Sequence, residues 1–273
     1  MTNERLDNEM VARGLVPSRE KARALIMAGV VLLDGVKANK AGQTVKEGAV
    51  VEIKEDVIPF VSRGGLKLQK AIEVFPITLE GKNCIDVGAS TGGFTDCMLK
   101  SGAVHVTSLD VGYGQLDWSL RNDSRVTVME RTNARFMEPS WYPNPFDFAS
   151  IDVSFISLRL ILPPLATCMN DGGEVVALIK PQFEAGRSEV GKNGVVRDEA
   201  VHTRVCADMM NFAFNAGYSV LGLSYSPITG PKGNIEFLLH LAHGGDKKGT
   251  GEQEFADLAK KTVDLAHKSC ITV

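Results

Sequence analysis

Two kinds of hydrophobic pattern divide the chain near residue 60. Apolar residues between Leu6 and Leu15 lie at helical spacing, and Ser18 is placed to cap a second helix that ends at Gly29. Short β-like runs follow, and the first of them leads into the hairpin turn signal Asp34-Gly35. We therefore predict a separate small α+β domain over residues 1–60, built from two helices and a small sheet.

Beyond Asn83 the pattern changes to strands that alternate with helices, which predicts an α/β fold with a mostly parallel sheet. The strand candidates are 84–87, 104–110, 126–130, 146–152, 174–180, 218–223 and 235–241, and helices begin near Gly93, Leu116, Ile156 and Glu199. The link between the last two strands is too short to contain a helix, so these strands must be antiparallel. We predict a Rossmann-like domain over 61–245 that is closed by this antiparallel hairpin. A polar tail and a C-terminal helix follow over 246–273.

The composition, with 44% hydrophobic residues in 273, is that of a globular protein. Charges and prolines interrupt the most apolar stretch, 148–169, so it lacks the roughly 20 continuous apolar residues that a membrane helix needs. The N-terminus lacks the basic-then-apolar pattern of a secretion signal. We expect a soluble cytoplasmic protein without a membrane segment.

Charge and cysteine content narrow the choice of ligands. The 5 cysteines are scattered, without a Cys-x-x-Cys pair, so we expect buried reduced thiols and no metal site. A formal net charge of -3 argues against non-specific coating of nucleic acid but permits a local basic patch. Such a patch is predicted where only Glu20 opposes Arg13, Arg19, Lys21 and Arg23. It favours RNA binding by the small domain, and recruitment of a protein partner is the alternative.

A glycine-rich turn directly after the first strand of the large domain predicts a cofactor site. The segment Asp86–Phe94 contains Gly88, Ser90, Gly92 and Gly93 and leads into a helix. Glycines let a ligand approach the backbone, and the helix N-terminus offers N–H groups to a carboxylate such as that of methionine. Asp110, about 20 residues further on at the end of the second strand, can accept both ribose hydroxyls of an adenosyl ligand.

Two other interpretations of this turn remain open. The glycines could serve only to pack the helix closely against the sheet. The spacing Gly88-x-Ser90-x-Gly92 also fits the nucleophile turn of serine hydrolases, with Asp152 and then His202 or His240 following in the required order. Against a hydrolase, that turn normally follows several strands of the sheet, and here only the small domain precedes it.

Three charged residues are predicted to meet at the carboxyl edge of the sheet, where open α/β folds bind ligands. Asp152 and Lys180 each end a parallel strand, and Pro181 favours an extended backbone at Lys180. Glu236 begins the antiparallel last strand, which places it at the same edge. Each residue alone could be a solvated charge or a helix cap. Together they suit proton transfer, because a lysine near a cofactor cation and other lysines has its charged form disfavoured.

These segments, in this order, resemble the FtsJ-like ribose 2′-O-methyltransferases, and within them the TlyA (hemolysin A) family of ribosomal RNA methyltransferases. The resemblance extends to about Leu241. It rests on the segments Val61–Leu68, Asp86–Phe94, Asp110–Gln115, Glu130–Asn133, Ile151–Ser157, Lys180–Glu184 and Gly233–Glu236.

The resemblance implies S-adenosylmethionine as the cofactor and ribosomal RNA or ribosomal subunits as the partner, with cytidine riboses as the acceptors. It implies a catalytic tetrad of Lys67, Asp152, Lys180 and Glu236, and Asn133 as an adenine contact. The small domain is similar to the RNA-binding fold of ribosomal protein S4. The residues expected to contact RNA are Arg5, Arg13, Ser18, Arg19, Lys21 and Arg63. Membrane activity, which the hemolysin name suggests, is the alternative of another class.

Overall fold

The structure is a computed structural model that describes residues 4–38, 40–46, 48–53, 58–244 and 252–270. It divides into two compact units, Met1–Ile58 and Pro59–Val273. The polar tail predicted at 246–251 and the last three residues lie outside the described residues. The C-terminal helix belongs to the second unit.

The first unit has the predicted two helices and small sheets. Ser18 caps the second helix by accepting a hydrogen bond from the backbone N–H of Lys21, and Gly29 ends that helix in the left-handed conformation. Asp34 and Gly35 form the tight turn between two short strands. Its elements are β1 (Glu4–Arg5), α1 (Leu6–Ala12), α2 (Arg19–Ala28), β2 (Val31–Leu33), β3 (Val36–Lys37), β4 (Thr44–Val45) and β5 (Val51–Ile53).

The second unit alternates strands and helices, as the sequence predicts. Its strands are β6 (Asn83–Val87), β7 (His105–Leu109), β8 (Val126–Met129), β9 (Phe146–Ile151), β10 (Met169–Ile179), β11 (Tyr218–Tyr225) and β12 (Phe237–His243). Its helices are α3 (Gly64–Val74), α4 (Gly93–Lys100), α5 (Trp118–Arg121), α6 (Leu162–Ala166), α7 (Pro181–Glu184), α8 (Glu199–Asn215) and α9 (Glu252–Cys270).

Within the described residues these strands form one sheet in the order β11-β12-β10-β9-β6-β7-β8. The strands from β6 to β10 pair in parallel, whereas β12 lies antiparallel to both β10 and β11. The predicted fold, a mostly parallel Rossmann-like sheet closed by an antiparallel hairpin, is thus confirmed.

Several element bounds differ from those predicted. The strand β10 begins at Met169 and reaches its regular register at Glu174, after a bulge. The helix predicted near Leu116 is the single turn α5, and the one near Ile156 is preceded by a 3₁₀ turn, Leu158–Leu160. The helix α3 was not predicted, because its first residues, Gly64 and Gly65, are typical of turns.

Hydrophobic cores cover both faces of the large sheet. On one face α3 and α4 pack through residues such as Leu68 and Met98, and on the other α8 packs through Met209 and Met210. The C-terminal helix α9 packs on α8 and β11, with Phe255 and Val263 buried. In the part of the chain that the structure describes, no helix is long and apolar enough to cross a membrane.

Candidate active site

The sheet register brings the predicted charged residues to one edge. Ile179 at the end of β10 pairs with Phe237 at the start of β12, so Lys180 and Glu236 directly follow and precede this pair. The neighbouring strand β9 ends at Ile151, which places Asp152 at the same edge. The sequence prediction for these residues is therefore realised in the backbone.

A chain of alternating charges connects the four predicted catalytic side chains. Lys180 Nζ lies 2.5 Å from one oxygen of Asp152, and Lys67 Nζ lies 3.2 Å from the other. Lys67 Nζ also lies 2.7 Å from a carboxylate oxygen of Glu236. Lys180 in addition donates a hydrogen bond of 3.0 Å to the Ser154 hydroxyl, a contact that the sequence reasoning missed although Ser154 stands two residues after Asp152.

The ion pairs favour the charged forms of Lys67 and Asp152. Burial disfavours the charged form of Lys67, but Asp152 and Glu236 outweigh it, so the pKa of Lys67 is raised. Burial likewise disfavours the charged form of Asp152, but Lys67 and Lys180 outweigh it, and its pKa is lowered. The expectation of a neutral lysine concerned a lysine beside a bound cofactor cation and stays a prediction; at Lys67 the two carboxylates that contact the amine act in the opposite direction.

Two adjoining pockets open at this edge of the sheet. The larger, of about 920 Å³, is lined by Asp110, Asn133 and the segment 152–157, among others. The smaller, of about 250 Å³, is lined by all four charged residues and by Gly93 and Phe94. Because Gly88, Ser90, Asp152 and Ser154 line both pockets, a ligand in the larger pocket can reach the charged cluster.

The glycine-rich turn is shaped by close backbone contacts. A Cβ on Gly88 would lie 2.7 Å from the carbonyl oxygen of Asp152, and Gly88 has a positive φ of 87°. A Cβ on Gly93 would meet the Ser62 hydroxyl and the backbone of Gly65, so this glycine allows α3, which carries Lys67, to approach α4. The glycines thus serve close packing as well as access to the pockets.

Asp86 stabilises the glycine-rich turn by hydrogen bonds to the first turn of α4. Its carboxylate is completely buried and accepts hydrogen bonds from the backbone and hydroxyl of Thr95 and from the Ser150 hydroxyl. This supplies a cap for α4 that Gly92, which has no side chain, cannot provide. Burial raises the pKa of Asp86 to about 6, although these hydrogen bonds act in the opposite direction. Direct contact between Asp86 and a cofactor stays a prediction.

Asp110 is held in place at the rim of the larger pocket. One oxygen accepts the N–H of Ser90 at 2.8 Å, and the other accepts the N–H of Gly112 at 2.6 Å. Each carboxylate oxygen retains a second lone pair, and Asp110 lines the pocket. The side-chain oxygen of Asn133, across the pocket, accepts the N–H of Arg135 at 3.1 Å, so its amide group is also oriented.

The predicted RNA-contacting residues of the first unit form ion pairs that the sequence count overlooked. Arg5, Arg19 and Arg23 all contact the carboxylate of Asp7, and Arg13 contacts Glu9 and the carbonyl of Ala49. Glu20 is therefore not the only acidic residue near this patch, which corrects the charge count. The hydroxyl of Ser18 is used as the helix cap, and the side chains of Lys21 and, in the second unit, Arg63 are exposed.

Among the described residues, the serine and histidines that a serine hydrolase would use are paired with other groups. Ser90 has the positive φ typical of a nucleophile turn, but its hydroxyl contacts Gln115. His202 is paired with His267, and His240 is paired with Glu174. Among the described residues no group of three or more His, Cys, Asp or Glu could hold a metal ion.

A Rossmann-like sheet with a pocket and a lysine–carboxylate cluster at its carboxyl edge is the arrangement expected of a methyltransferase. The sequence profile of FtsJ-like methyltransferases matches residues 60–243, and that of the S4 domain matches residues 4–51. The chain therefore belongs to the FtsJ-like methyltransferase family.

Relatives match over nearly the whole chain. "Putative rRNA methyltransferase YqxC" of Bacillus subtilis is 49% identical over 97% of this chain and 95% of its own length. "16S/23S rRNA (cytidine-2'-O)-methyltransferase TlyA" of Mycobacterium tuberculosis is 45% identical over 97% of this chain and 96% of its own. The solved structure "Putative hemolysin from Streptococcus thermophilus" is 46% identical, with a TM-score of 0.79 over 100% of this chain and 98% of that one.

Proposed function

We propose that this protein transfers a methyl group from S-adenosyl-L-methionine to the 2′-hydroxyl of cytidine riboses in ribosomal RNA. The observation that carries the proposal is the Lys180–Asp152–Lys67–Glu236 chain of charges beside the larger pocket. Such a cluster suits removal of a proton from a hydroxyl, and the name of the 45% identical relative from Mycobacterium tuberculosis supports the substrate.

The larger pocket fits the methyl donor in size and chemistry. A volume of about 920 Å³ lies within the usual range for small-molecule sites. Asp110 would accept the ribose hydroxyls, and Asn133 would contact the adenine. Gly88 and Ser90, which line both pockets, and Gly93 and Phe94 of the smaller pocket would surround the methionine part near the start of α4. Gly92 would act through the shape of the turn, because it packs against Leu116 and Leu120. S-Adenosyl-L-methionine supplies an activated methyl group on a positively charged sulfur.

Lys180 is the residue that we assign to activation of the hydroxyl. As the 2′-oxygen forms its bond to the methyl carbon, the S–CH₃ bond breaks and the hydroxyl proton passes to the Lys180 amine. Lys180 must be neutral to accept this proton; it contacts one carboxylate, whereas Lys67 contacts two. Lys67 stays protonated and stabilises negative charge on the attacking oxygen.

Asp152 and Glu236 act as positioning groups in this mechanism. Asp152 contacts both amines and fixes their separation, and Glu236 holds Lys67 from the opposite side. Methyl transfer depends mainly on this positioning, because orienting the 2′-oxygen toward an already activated methyl group removes much of the barrier.

The first unit would hold the RNA through its basic residues, together with Arg63 of the second unit. Arginine side chains bind phosphates through paired N–H groups, so this binding should weaken as salt rises. A chain that begins near Ile58 should then bind the cofactor normally but lose affinity for RNA. Methylation by that shortened chain at the rate of the full chain would contradict an RNA-binding role of the first unit.

The direct test is a methylation assay on unmodified ribosomal subunits and on their RNAs, with S-adenosyl-L-methionine as the methyl donor. Ribose-methylation mapping should then show new 2′-O-methyl groups at cytidines. No cofactor binding by calorimetry, together with labelling of Ser90 by a fluorophosphonate, would overturn the methyltransferase proposal in favour of a hydrolase.

A further inference from the structure

A single buried carboxylate organises the basic surface of the first unit. Asp7, the second residue of α1, has no solvent-exposed side-chain surface. Arg5 donates two hydrogen bonds of 3.0 Å to it, one to each oxygen. Arg23 and Arg19, one turn apart on α2, contact the same carboxylate at 3.1 and 3.4 Å. Three guanidinium groups from different parts of the unit thus converge on one anion.

Asp7 is suited to this role because it stays ionised. The hydrogen bonds from Arg5 lower its pKa more than burial raises it, with smaller contributions from Arg23 and Arg19. The backbone N–H of Asp7 also donates to the carbonyl of Ala41, which fixes the start of α1. Asp7 is therefore a rigid acceptor around which flexible arginine side chains are ordered.

The three arginines keep most of their binding capacity. Each guanidinium has five N–H donors, of which Asp7 uses two from Arg5 and one each from Arg19 and Arg23. About half of each side chain is exposed. The three positive charges exceed the two negative charges of Asp7 and the nearby Glu20, which leaves a net positive surface. This arrangement suits a phosphate group, which accepts several such hydrogen bonds.

We propose that Asp7 is a positioning residue that preorganises Arg5, Arg19 and Arg23 as a binding site for an RNA phosphate. The inference rests on the proposed function and adds to it Asp7, and Arg23 as a third phosphate contact. A long arginine side chain loses conformational freedom when it binds, and ordering by Asp7 before binding removes part of that loss. Asp7 thereby increases the affinity for an anion although it is itself an anion.

The substitution Asp7→Asn separates preorganisation from simple charge. It removes a negative charge from a basic surface, so charge counting alone predicts tighter RNA binding. Preorganisation predicts binding that is about tenfold weaker, because a neutral amide side chain at this position no longer attracts three guanidinium groups. The matched control is Glu52→Gln, which also removes a negative charge from this unit but at an exposed residue of β5 that, among the described residues, pairs with no arginine. We expect the control to bind RNA as tightly as the unchanged protein or slightly more tightly.

The measurement is a titration of the full chain with unmethylated 16S and 23S rRNA at several salt concentrations, beside thermal unfolding. Arg23→Gln should lower the salt dependence by about one phosphate contact, a change that a merely structural residue would not produce. In the double variant Asp7→Asn/Arg23→Gln, the loss of binding free energy should be smaller than the sum of the two single losses, because Asp7 acts partly through Arg23.

Two results would overturn the proposal. One is a folded Asp7→Asn protein that binds both RNAs as tightly as, or more tightly than, the unchanged chain. The other, which decides the matter if Asp7→Asn unfolds the first unit, is an Arg23→Gln protein with unchanged affinity and salt dependence. If the unchanged chain neither binds nor methylates ribosomal RNA, the proposed function itself fails. Normal methylation by the unchanged chain limits any failure to Asp7.

Discussion

Replacing Lys180 by alanine is the sharpest test of the active site. Its amine contacts Asp152 and Ser154 at the smaller pocket. Asp110 and Asn133, the proposed ribose and adenine contacts, line the larger pocket, and Lys180 does not. Loss of a general base typically costs about 10²–10⁴-fold in rate, which corresponds to roughly 3–5 kcal/mol in the barrier. Asp152 keeps its ion pair with Lys67, so it is not left as a lone buried charge. Cofactor affinity should therefore change little.

The assay combines calorimetric titration of S-adenosyl-L-methionine with single-turnover methyl transfer to saturating RNA. The matched control is Lys82→Ala, because the largely buried Lys82 also forms an ion pair, with Glu174 at 2.8 Å. Lys82 precedes β6 and so lies at the end of the sheet opposite the active site. The control should transfer methyl groups at the normal rate. Near-normal transfer by Lys180→Ala would remove Lys180 from the mechanism, and an equal loss of cofactor affinity would make it a binding residue.

Three further predictions concern the cofactor and the fold. Asp110→Ala should weaken cofactor binding roughly hundredfold in calorimetry, because loss of its charged hydrogen bonds to the ribose costs about 3 kcal/mol, while transfer at saturating cofactor persists. An unchanged Kd would refute this prediction. Gly88→Ala should lower the melting temperature more than Gly81→Ala, because both have positive φ but only Gly88 has a backbone atom in the way; equal losses would exclude the close contact. Burial, and then the neighbour His267, lower the pKa of His202 to about 4. As the pH falls below about 6.5, this residue is therefore protonated in the unfolded chain before it is protonated in the folded one, and the free energy of unfolding decreases. Urea unfolding should show about 2 kcal/mol less stability at pH 5 than at pH 7 from this residue, and His202→Gln should reduce that difference; the same difference in both proteins would contradict it.

The sequence predicted the parts of the site that depend on strand order. Asp152, Lys180 and Glu236 follow from where strands end, because parallel and antiparallel neighbours fix which ends meet. Lys67 did not follow from this logic, because it lies on α3, whose position depends on the contact between Gly65 and Gly93 of α4. Only the resemblance to a family identified it.

The ion pairs of the first unit were beyond the sequence for a related reason. Asp7 stands 12 and 16 residues before Arg19 and Arg23, and a local charge count around α2 does not include it. The packing of α1 against α2 brings these residues together. The sequence likewise did not predict that the carboxylate of Asp86 accepts hydrogen bonds from Thr95 and Ser150. Its contact with a cofactor stays a prediction.

The pairing of Ile179 in β10 with Phe237 in β12 fixes the position of Glu236 relative to Lys180. Successive residues of a strand point to opposite faces, so a slip of one residue between β10 and β12 would turn Glu236 away from Lys67. The loop between β11 and β12 is constrained at its end as well, because its last residue is Glu236, whose carbonyl accepts a hydrogen bond of 2.9 Å from the backbone N–H of Ser226. An insertion or deletion within the paired strands, or beside Glu236 in this loop, would therefore remove the activity while leaving a well-formed sheet.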